Sequence, residues 1–509
     1  MISMIFILII FYCLHTVFIL YFGKKYLHIF QLEEYSIDLF ISWLFSHKFF
    51  PYYTKIIVFK KAKKALVFTK RAVRLYTTYL FISGFFLTIL NISIFIHIFS
   101  MMTYVIINIL LIPFFTLLPI ILLMIAIILI SPYEWNLNNF YFKKAQKKLK
   151  SYQDIKTIAI TGSYGKTSTK HFLSQILTQK YHVLTTPQSY NTPMGISKII
   201  NNQLQEDYDY FIVEMGANRK GDIEKLCQLT PPFIGILTAI GEQHLKTFKT
   251  QEAIVRTKCS LLKAINPSGF AVYNADSDPI RKNIAELDRE KYGFSLGKAE
   301  KNPNDTYSYT RNIKQLADGI CFDLCLNIGS QVNIEQIKTK LMGRHNAANI
   351  LAASIVAIKL GFSSAELKKG IENLQPIEHR LNLLQMENDI RILDDAFNSN
   401  PQGALEALYV LKTLPGNKKI IITPGMVELG KNENEHNYWF GQRISEYADL
   451  AILVGKNNTE SIHKGLLDNN FPENKIIITE NLILANREMK KIAANGDIIL
   501  YENDLPDQY

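Results

Sequence analysis

Residues 156–170 read KTIAITGSYGKTSTK, a short apolar strand followed by a glycine-bounded loop and a helical pattern. A phosphate-binding loop needs these parts: backbone N–H groups in a tight turn, a helix N-terminus, an ammonium group and a hydroxyl for Mg²⁺. The usual consensus places four residues between its glycines, whereas Ser163 and Tyr164 alone separate Gly162 from Gly165. The pattern predicts nucleotide binding and leaves open a glycine-rich turn with a surface lysine. The candidate phosphate-binding residues are Gly162, Ser163, Gly165, Lys166, Thr167 and Ser168.

Apolar strands that end in polar residues recur after this loop. Residues 209–216 read DYFIVEMG, and further strands at 233–240 and 271–273 lead to His244 and Asn274. Strands that alternate with helices predict a parallel sheet with ligands at the carboxyl ends of its strands. Glu214 would then lie beside the phosphate loop, where it could bind Mg²⁺ directly or through water. The alternatives are a surface glutamate at a strand end and a structural histidine at position 244.

A second α/β pattern occupies the last third of the chain. A hairpin-like segment follows Arg380, and strands recur at 419–423, 450–454, 475–479 and 497–501 with helical patterns between them. This order is typical of a dinucleotide-fold domain. The sequence therefore predicts an α/β protein with a P-loop parallel-sheet ATPase domain at 151–375 and a Rossmann-like domain at 376–509, preceded by an α-helical region at 1–150.

The first 150 residues have the composition of a membrane anchor. Residues 1–22 and 76–131 contain no Asp, Glu, Lys or Arg, which predicts about three transmembrane helices, near 1–22, 76–98 and 103–130. Residues 23–75 carry 11 Lys and Arg against 3 Asp and Glu. By the positive-inside rule this basic loop is cytoplasmic and could contact anionic membrane lipid, although a solvated connector fits as well. The sequence thus predicts a multi-pass protein of a bacterial inner membrane with its catalytic domains in the cytoplasm.

Net charge argues against one class of partner. The chain carries +11, but the basic stretches 23–75 and 132–156 account for all of it, so the part after residue 156 is near neutral. Nucleic-acid binding by that part is therefore not expected, because such binding requires a basic surface.

These motifs resemble those of the Mur ligases, the ATP-dependent amide-forming enzymes of peptidoglycan synthesis. TGSYGKTS resembles the short phosphate loop of the family, and FIVEMGANRKGDI resembles the signature of its MurF type. GRHNAANILAA at 343–353 and DDAFNSNP at 394–401 resemble two further family segments, with Phe397 in place of a tyrosine. The resemblance covers roughly residues 155–509. It implies a ligase that adds D-Ala-D-Ala to a UDP-muramoyl tripeptide through an acyl phosphate.

The resemblance also implies roles for single residues. His244, followed fourteen residues later by Lys258, matches the family's metal-site histidine and carbamylated lysine. A carbamate would turn the Lys258 ammonium into an oxygen ligand for Mg²⁺. Arg380 would clamp the ATP phosphates, with Asp395 and Asn398 lining the same cleft. Asn274, His345 and Asn346 would contact the nucleotide. The implied catalytic residues are Lys166, Lys258, His244, Arg380 and Asp395, and the implied ligands of two Mg²⁺ sites are Thr167, Glu214, His244 and Lys258.

Departures from the family leave alternatives open. The N-terminal uridine-binding domain of the MurF type has apolar helices in its place, and residues 424–430, PGMVELG, lack a family aspartate. One alternative is a ligase of the same family with a lipid-linked or polymeric acceptor, similar to a poly-glutamate synthase. Another is a non-catalytic, membrane-anchored scaffold that binds nucleotide. Partners beyond the substrates would be other enzymes of cell-wall synthesis.

Overall fold

The computed structural model describes most of the chain and divides it into two units. One unit covers Met1–Asn139 with Pro506–Tyr509, and the other covers Phe140–Leu505. The predicted boundaries at 150 and 375 stay predictions. The described residues are 2–33, 35–45, 65–97, 101–110, 114–187, 190–241, 245–248, 250–297, 307–386, 389–397, 400–427, 429, 432–456 and 459–504.

The N-terminal unit is helical in its described residues. Its apolar side chains pack against one another: Tyr79 is fully buried and donates a hydrogen bond from its hydroxyl to the carbonyl of Ile19 at 2.8 Å. Gly23 allows this contact, because a Cβ there would overlap the Tyr79 ring. The helices are α1 (Ile2–Leu32), α2 (Ile37–Phe45), α3 (Lys70–His97), α4 (Met101–Leu110) and α5 (Phe114–Ser151), the last of which runs into the second unit.

Of the three predicted spans, the one at 76–98 coincides with α3, whereas the other two do not match single helices. α1 continues past residue 22 through Lys24 and Lys25, and the uncharged stretch 103–130 is divided between α4 and α5. In the described part of the chain, two helices are long and apolar enough to cross a membrane, at Lys70–Ser93 and Leu117–Ser151. One or two helices of this kind are weak evidence for a membrane protein. The apolar side chains of these helices divide between a buried core, in which Tyr79 and Leu123 are fully buried, and an exposed surface that includes Phe81, which is 80% exposed.

A nine-stranded sheet forms the first part of the second unit. Its strand order is β2-β3-β1-β4-β5-β6-β7-β8-β9. The first seven strands pair in parallel and the last pairings are antiparallel. The strands are β1 (Lys156–Thr161), β2 (Val183–Thr185), β3 (Tyr210–Glu214), β4 (Ile234–Leu237), β5 (Phe270–Asn274), β6 (Glu290–Ser295), β7 (Ser308–Leu316), β8 (Gly319–Asn327) and β9 (Gln331–Thr339).

Helices cover both faces of this sheet, as a parallel sheet requires. On one face Phe172 and Ile355 belong to a fully buried apolar cluster, and on the other Ile199 and Leu226 belong to a second cluster. The helices are α6 (Lys166–Leu177), α7 (Pro193–Gln203), α8 (Asp222–Leu229), α9 (Leu245–Phe248), α10 (Gln251–Lys263), α11 (Asp278–Ile284), α12 (His345–Lys359) and α13 (Ser364–Glu372).

A six-stranded sheet follows, in the order β10-β11-β15-β12-β13-β14. β10 pairs antiparallel with β11, which confirms the hairpin after Arg380, and the other pairs are parallel. The elements are β10 (Asn382–Gln385), β11 (Arg391–Asp395), α14 (Pro401–Thr413), β12 (Lys419–Thr423), α15 (Glu433–Tyr447), β13 (Leu450–Val454), α16 (Glu460–Asp468), β14 (Ile476–Thr479), α17 (Leu482–Ile492) and β15 (Ile498–Glu502). The predicted α/β fold with two sheets, each mainly parallel, is confirmed.

The antiparallel strands β7 to β9 were not predicted from the sequence. Their register shifts twice, between Arg311 and Lys314 and between Phe322 and Leu324. Such shifts interrupt the strict alternation of apolar and polar residues that marks a half-buried strand. The pattern is therefore too weak to be recognised from the residues alone.

The buried faces of the nine-stranded sheet lead to a test of stability. Ile355 is fully buried in α12, so Ile355→Ala should lower the free energy of unfolding by about 2–5 kcal/mol. Ile483, 75% exposed in α17, is the matched control, and Ile483→Ala should change it by less than about 0.5 kcal/mol. Urea unfolding followed by circular dichroism measures both. Equal losses for the two variants would contradict the core described above.

Candidate nucleotide-binding site

The loop between β1 and α6 has the backbone of a phosphate-binding turn. Gly165 has a φ of 80° and forms the N-cap of α6. Gly162 has a φ of 155°, and a Cβ at this position would overlap the Thr238 hydroxyl. Both positions therefore require glycine. The helix N-terminus that follows is a favourable place for an anion.

The residues that directly follow β4 hold this loop through hydrogen bonds. The backbone N–H of Ser163 donates to the carbonyl of Ala239 at 2.7 Å. The Thr238 hydroxyl donates to the carbonyl of Tyr164 at 2.6 Å and is buried. Because the loop is anchored to a neighbouring parallel strand, its shape is set by the sheet itself.

Lys166 places a cation at this loop. Its Nζ donates to the carbonyls of Gly162 at 2.8 Å and Ser163 at 3.1 Å. Burial lowers the pKa of Lys166 to about 8, while the charge of Glu214 raises it and the charge of Arg380 lowers it further. The site thus holds a cation whose charge is only partly compensated by neighbouring groups.

Glu214, at the end of β3, is 1% exposed and accepts three hydrogen bonds. Thr167 Oγ1 and Lys170 Nζ lie 3.0 and 3.3 Å from its Oε2, and Asn191 Nδ2 lies 3.2 Å from its Oε1. The strand-end carboxylate predicted from sequence is therefore next to the hydroxyl of the phosphate loop, and it is not a surface glutamate.

Two residues around Glu214 were missed in the sequence. Lys170 lies four positions after Lys166 and therefore on the same face of α6, so its spacing in the sequence indicates its place near the loop. Asn191 lies in a polar, turn-rich loop that carries no local indication of its contact. Ser168, one of the predicted phosphate-binding residues, is buried in α6.

Lys258 lies close to the phosphate loop from the side of α10. It is 2% exposed, and its Nζ is 3.2 Å from Ser163 Oγ, which itself lies 3.1 Å from the carbonyl oxygen of Gly241. Burial, together with the charge of Lys166, lowers the pKa of Lys258 well below its usual value. Its side chain is therefore buried beside the phosphate loop and does not lie on the exposed surface of the helix.

The predicted metal ligands are only partly visible. Thr167 and Glu214 are in contact, whereas His244 lies outside the described residues. Among the residues that are described, no group of three or more His, Cys, Asp and Glu side chains could hold a metal ion. The oxygen donors that the structure does bring together are the Thr167 hydroxyl and the Glu214 carboxylate.

The residues predicted for the nucleotide base occupy two places. Asn274 ends β5, and its Oδ1 accepts the backbone N–H of Asp276 at 2.8 Å. Asn346 is buried at the start of α12, with its Nδ2 2.8 Å from the carbonyl of Met342. His345 has a pKa lowered mainly by burial, and its Nδ1 is buried without a hydrogen-bond partner.

Arg380 and Asp395 reach the site from the second sheet. Asp395 Oδ1 accepts the backbone N–H of Leu381 at 3.0 Å, and burial raises the pKa of Asp395 to about 6. Burial lowers the pKa of Arg380, while the charges of Asp395 and Glu214 raise it. Arg380 and Glu214 therefore belong to one electrostatic environment. Asn398 lies outside the described residues.

These contacts form a site suited to a polyphosphate. A helix N-terminus, Lys166 and Arg380 supply positive charge, and Thr167 with Glu214 supply oxygen ligands for a hard cation. Arg380 provides a planar fork of donors that matches phosphoryl oxygens. The arrangement can neutralise charge that moves between oxygens during phosphoryl transfer.

Comparisons with known families agree with this geometry. Residues 160–357 match the model of the Mur ligase middle domain, and residues 379–501 match the Mur ligase, glutamate ligase domain. The two matched regions together cover well over half of the chain. They contain the phosphate loop, Glu214, Lys258, Arg380 and Asp395.

Two similar proteins from different bacteria have the same enzyme name. The UDP-N-acetylmuramoyl-tripeptide–D-alanyl-D-alanine ligase of Escherichia coli (strain K12) is 28% identical over 67% of this chain and 74% of its own length. The ligase of the same name from Bacillus subtilis (strain 168) is 25% identical over 70% and 75%. The crystal structure of MurF ligase from Thermotoga maritima in complex with ADP shares the fold, with a TM-score of 0.63 and 24% identity over 72% of this chain and 80% of that one.

The helices of the described residues correct the predicted location. Two of them are long and apolar enough to cross a membrane where three spans were expected, and two such helices are weak evidence for a membrane protein. The prediction of a multi-pass protein of the inner membrane is therefore wrong.

The predicted family resemblance, by contrast, is confirmed by both matched domains and by the shared fold. The matched domains follow one another in the same order as the two parallel sheets. With its middle and C-terminal domains both matched, the chain belongs to the Mur ligase family.

Proposed function

We propose that this chain is an ATP-dependent, ADP-forming ligase that joins D-Ala-D-Ala to a UDP-N-acetylmuramoyl tripeptide. The names of the relatives support this activity over the lipid-linked or polymeric acceptor and over a non-catalytic scaffold. The main observation in support of this function is the phosphate loop, which brings together Lys166 and the Thr167–Glu214 pair. In this pair Thr167 Oγ1 lies 3.0 Å from Glu214 Oε2. Membrane lipid and other enzymes of cell-wall synthesis stay predictions as partners.

The residues fit Mg-ATP. Thr167 and Glu214 present oxygen donors of the kind Mg²⁺ prefers, and the loop backbone with Lys166 suits the phosphates. Thr167 and Glu214 would hold the ion, whose positive charge would neutralise charge on the phosphates. Asn274, His345 and Asn346 are proposed to contact the base and ribose side of the nucleotide. His244 is proposed as a further metal ligand on the strength of its sequence position.

The proposed reaction has two steps, formation of an acyl phosphate and formation of the amide. The carboxylate of the tripeptide attacks the γ-phosphorus of ATP, which releases ADP and leaves an acyl phosphate. The amine of D-Ala-D-Ala then attacks the acyl carbon, and inorganic phosphate leaves as the amide forms and the amine loses a proton. Lys166 and Arg380 neutralise the phosphoryl oxygens, Glu214 holds the Thr167 hydroxyl in place, and Asp395 faces Arg380. Positioning and charge supply most of the rate.

Lys258 is proposed to carry a carbamate. Its Nζ is buried within 3.2 Å of Ser163 Oγ at the phosphate loop, where a second free ammonium beside Lys166 would repel Mg²⁺. Addition of CO₂ to the neutral amine forms an N–C bond, releases one proton and converts the end of the side chain into an anionic oxygen ligand.

The proposed function is tested by coupling ADP release to amide formation. Purified chain with Mg-ATP, UDP-N-acetylmuramoyl tripeptide and D-Ala-D-Ala should release one ADP per amide formed. Lys166→Met removes one charged clamp and should lower the rate on the order of 10²–10³-fold. Lys225→Met, on the exposed side of α8, is the control and should leave the rate unchanged. A wild-type chain that releases no ADP with the complete substrate set would refute the function.

Glu214→Gln tests the metal-binding role of the strand-end carboxylate. The amide keeps the shape but loses the charge, so we expect the Mg²⁺ concentration for half-maximal rate to rise at least about 10-fold. The maximal rate should also fall, because Lys170 loses a charged partner at 3.3 Å. Glu224→Gln in the exposed part of α8 is the matched control. An unchanged Mg²⁺ dependence would exclude Glu214 as a ligand.

A carbamate on Lys258 can be detected directly. Chain equilibrated with ¹³C-bicarbonate should show a carbamate carbonyl signal in its ¹³C NMR spectrum, and Lys258→Arg should lack it. Lys263→Arg, at the exposed end of the same helix, should retain the signal. Removal of CO₂ should lower the rate of ADP release reversibly. A signal that persists in Lys258→Arg would assign the carbamate elsewhere.

A further inference from the structure

The segment that carries Arg380 has an unusual backbone. His379 and Leu381, on either side of Arg380, both lie in the left-handed region, with φ of 59° and 50°. Residues other than glycine adopt this conformation rarely, and for leucine it is strained, so it persists only where surrounding contacts enforce it. Two such residues in three positions indicate that the rest of the structure holds this segment in place.

Three contacts that hold this segment come from the last residues of β11 and the stretch directly after it. His379 Nδ1 lies 2.8 Å from Asp394 Oδ2, and the His379 carbonyl accepts the backbone N–H of Phe397 at 3.2 Å. The backbone N–H of Leu381 donates to Asp395 Oδ1 at 3.0 Å. Each flank of Arg380 is thus fixed to the same short stretch, by both side-chain and backbone atoms.

The Arg380 side chain is fixed as well. Its Cζ lies 4.4 Å from the centre of the Phe397 ring, within the range of a cation–π contact. Phe397 is 39% exposed and is not part of the apolar core, so its ring is available to the guanidinium. This contact requires only the face of an aromatic ring at position 397.

We propose that His379 and Phe397 are positioning residues that hold the Arg380 guanidinium toward the phosphate loop before nucleotide binds. The inference rests on the proposed role of Arg380 in neutralising phosphoryl charge. His379 fixes the backbone through Asp394, and Phe397 restricts the side chain. Both residues act through Arg380, and the pre-ordered guanidinium loses less freedom when the phosphoryl charge develops.

Substitution of His379 separates positioning from general stability. His379→Ala removes the contact with Asp394 and should lower kcat about 10-fold, with a smaller change in the KM for ATP. His379→Asn should restore kcat to within about 3-fold of wild type, because asparagine tolerates the left-handed region and its amide can donate to Asp394. His182→Ala, which removes an exposed histidine 3.7 Å from Asp207, is the matched control and should change neither constant.

A double-mutant cycle tests whether the effect passes through Arg380. In an Arg380→Lys background, His379→Ala should cause little further loss in kcat, because the group it positions is already altered. Phe397→Leu should behave like His379→Ala, and Phe397→Tyr should keep near wild-type kcat. Thermal unfolding of each variant identifies any that fail to fold. If His379→Ala or Phe397→Leu does not fold, kcat of His379→Asn and Phe397→Tyr still tests the positioning role.

The outcomes distinguish this inference from the proposed function. If the wild type releases ADP and Arg380→Lys lowers kcat, but His379→Ala and Phe397→Leu do not, the positioning role is wrong and the function stands. The positioning role would also be wrong if His379→Ala lowered kcat in the Arg380→Lys background by the same factor of about 10 as in the wild type. Absence of ADP release from the wild type would refute the function itself.

Discussion

The buried carboxylate of Glu214 is the contact on which the site depends. It accepts from Thr167 and Lys170 of α6 and from Asn191 of the loop before α7, so a single side chain at the end of β3 joins three segments. A buried carboxylate without such partners would be strongly destabilising. The requirement to satisfy Glu214 therefore fixes how α6 lies beside β3, and with it the direction of the phosphate loop.

Around this carboxylate the site has an excess of positive charge. The charge of Glu214 raises the pKa values of Lys166, Lys170 and Arg380. Burial is the main cause that lowers each of these three pKa values. Three cations beside the two carboxylates Glu214 and Asp395 are unfavourable in a protein interior, because each charge must be removed from water. A ligand with several negative charges relieves this imbalance, which explains why the geometry favours a polyphosphate over a neutral substrate.

The sequence predicted the parts of the site that depend on local patterns. A strand, two glycines and Lys166 in one stretch identified the phosphate loop, and a strand-end carboxylate identified Glu214. Asn191 could not be found in this way, because its contact with Glu214 depends on how a polar loop returns to the sheet. The left-handed backbone at His379 and Leu381 was equally hidden, since neither residue type demands it. The strands β7 to β9 were missed because their register shifts disrupt the periodic pattern.

The residues at the start of α12 also connect the two sheets. Arg344 Nη2 lies 2.5 Å from Glu406 Oε1 of α14, and its guanidinium stacks 4.2 Å from the Tyr409 ring. The next two residues, His345 and Asn346, are the ones proposed to contact the nucleotide. A change in the orientation of this helix start would thus alter the base side of the site and the attachment of the second sheet together. Because Arg380 enters the site from that second sheet, nucleotide contacts and the placement of the arginine are mechanically linked through one short stretch of chain.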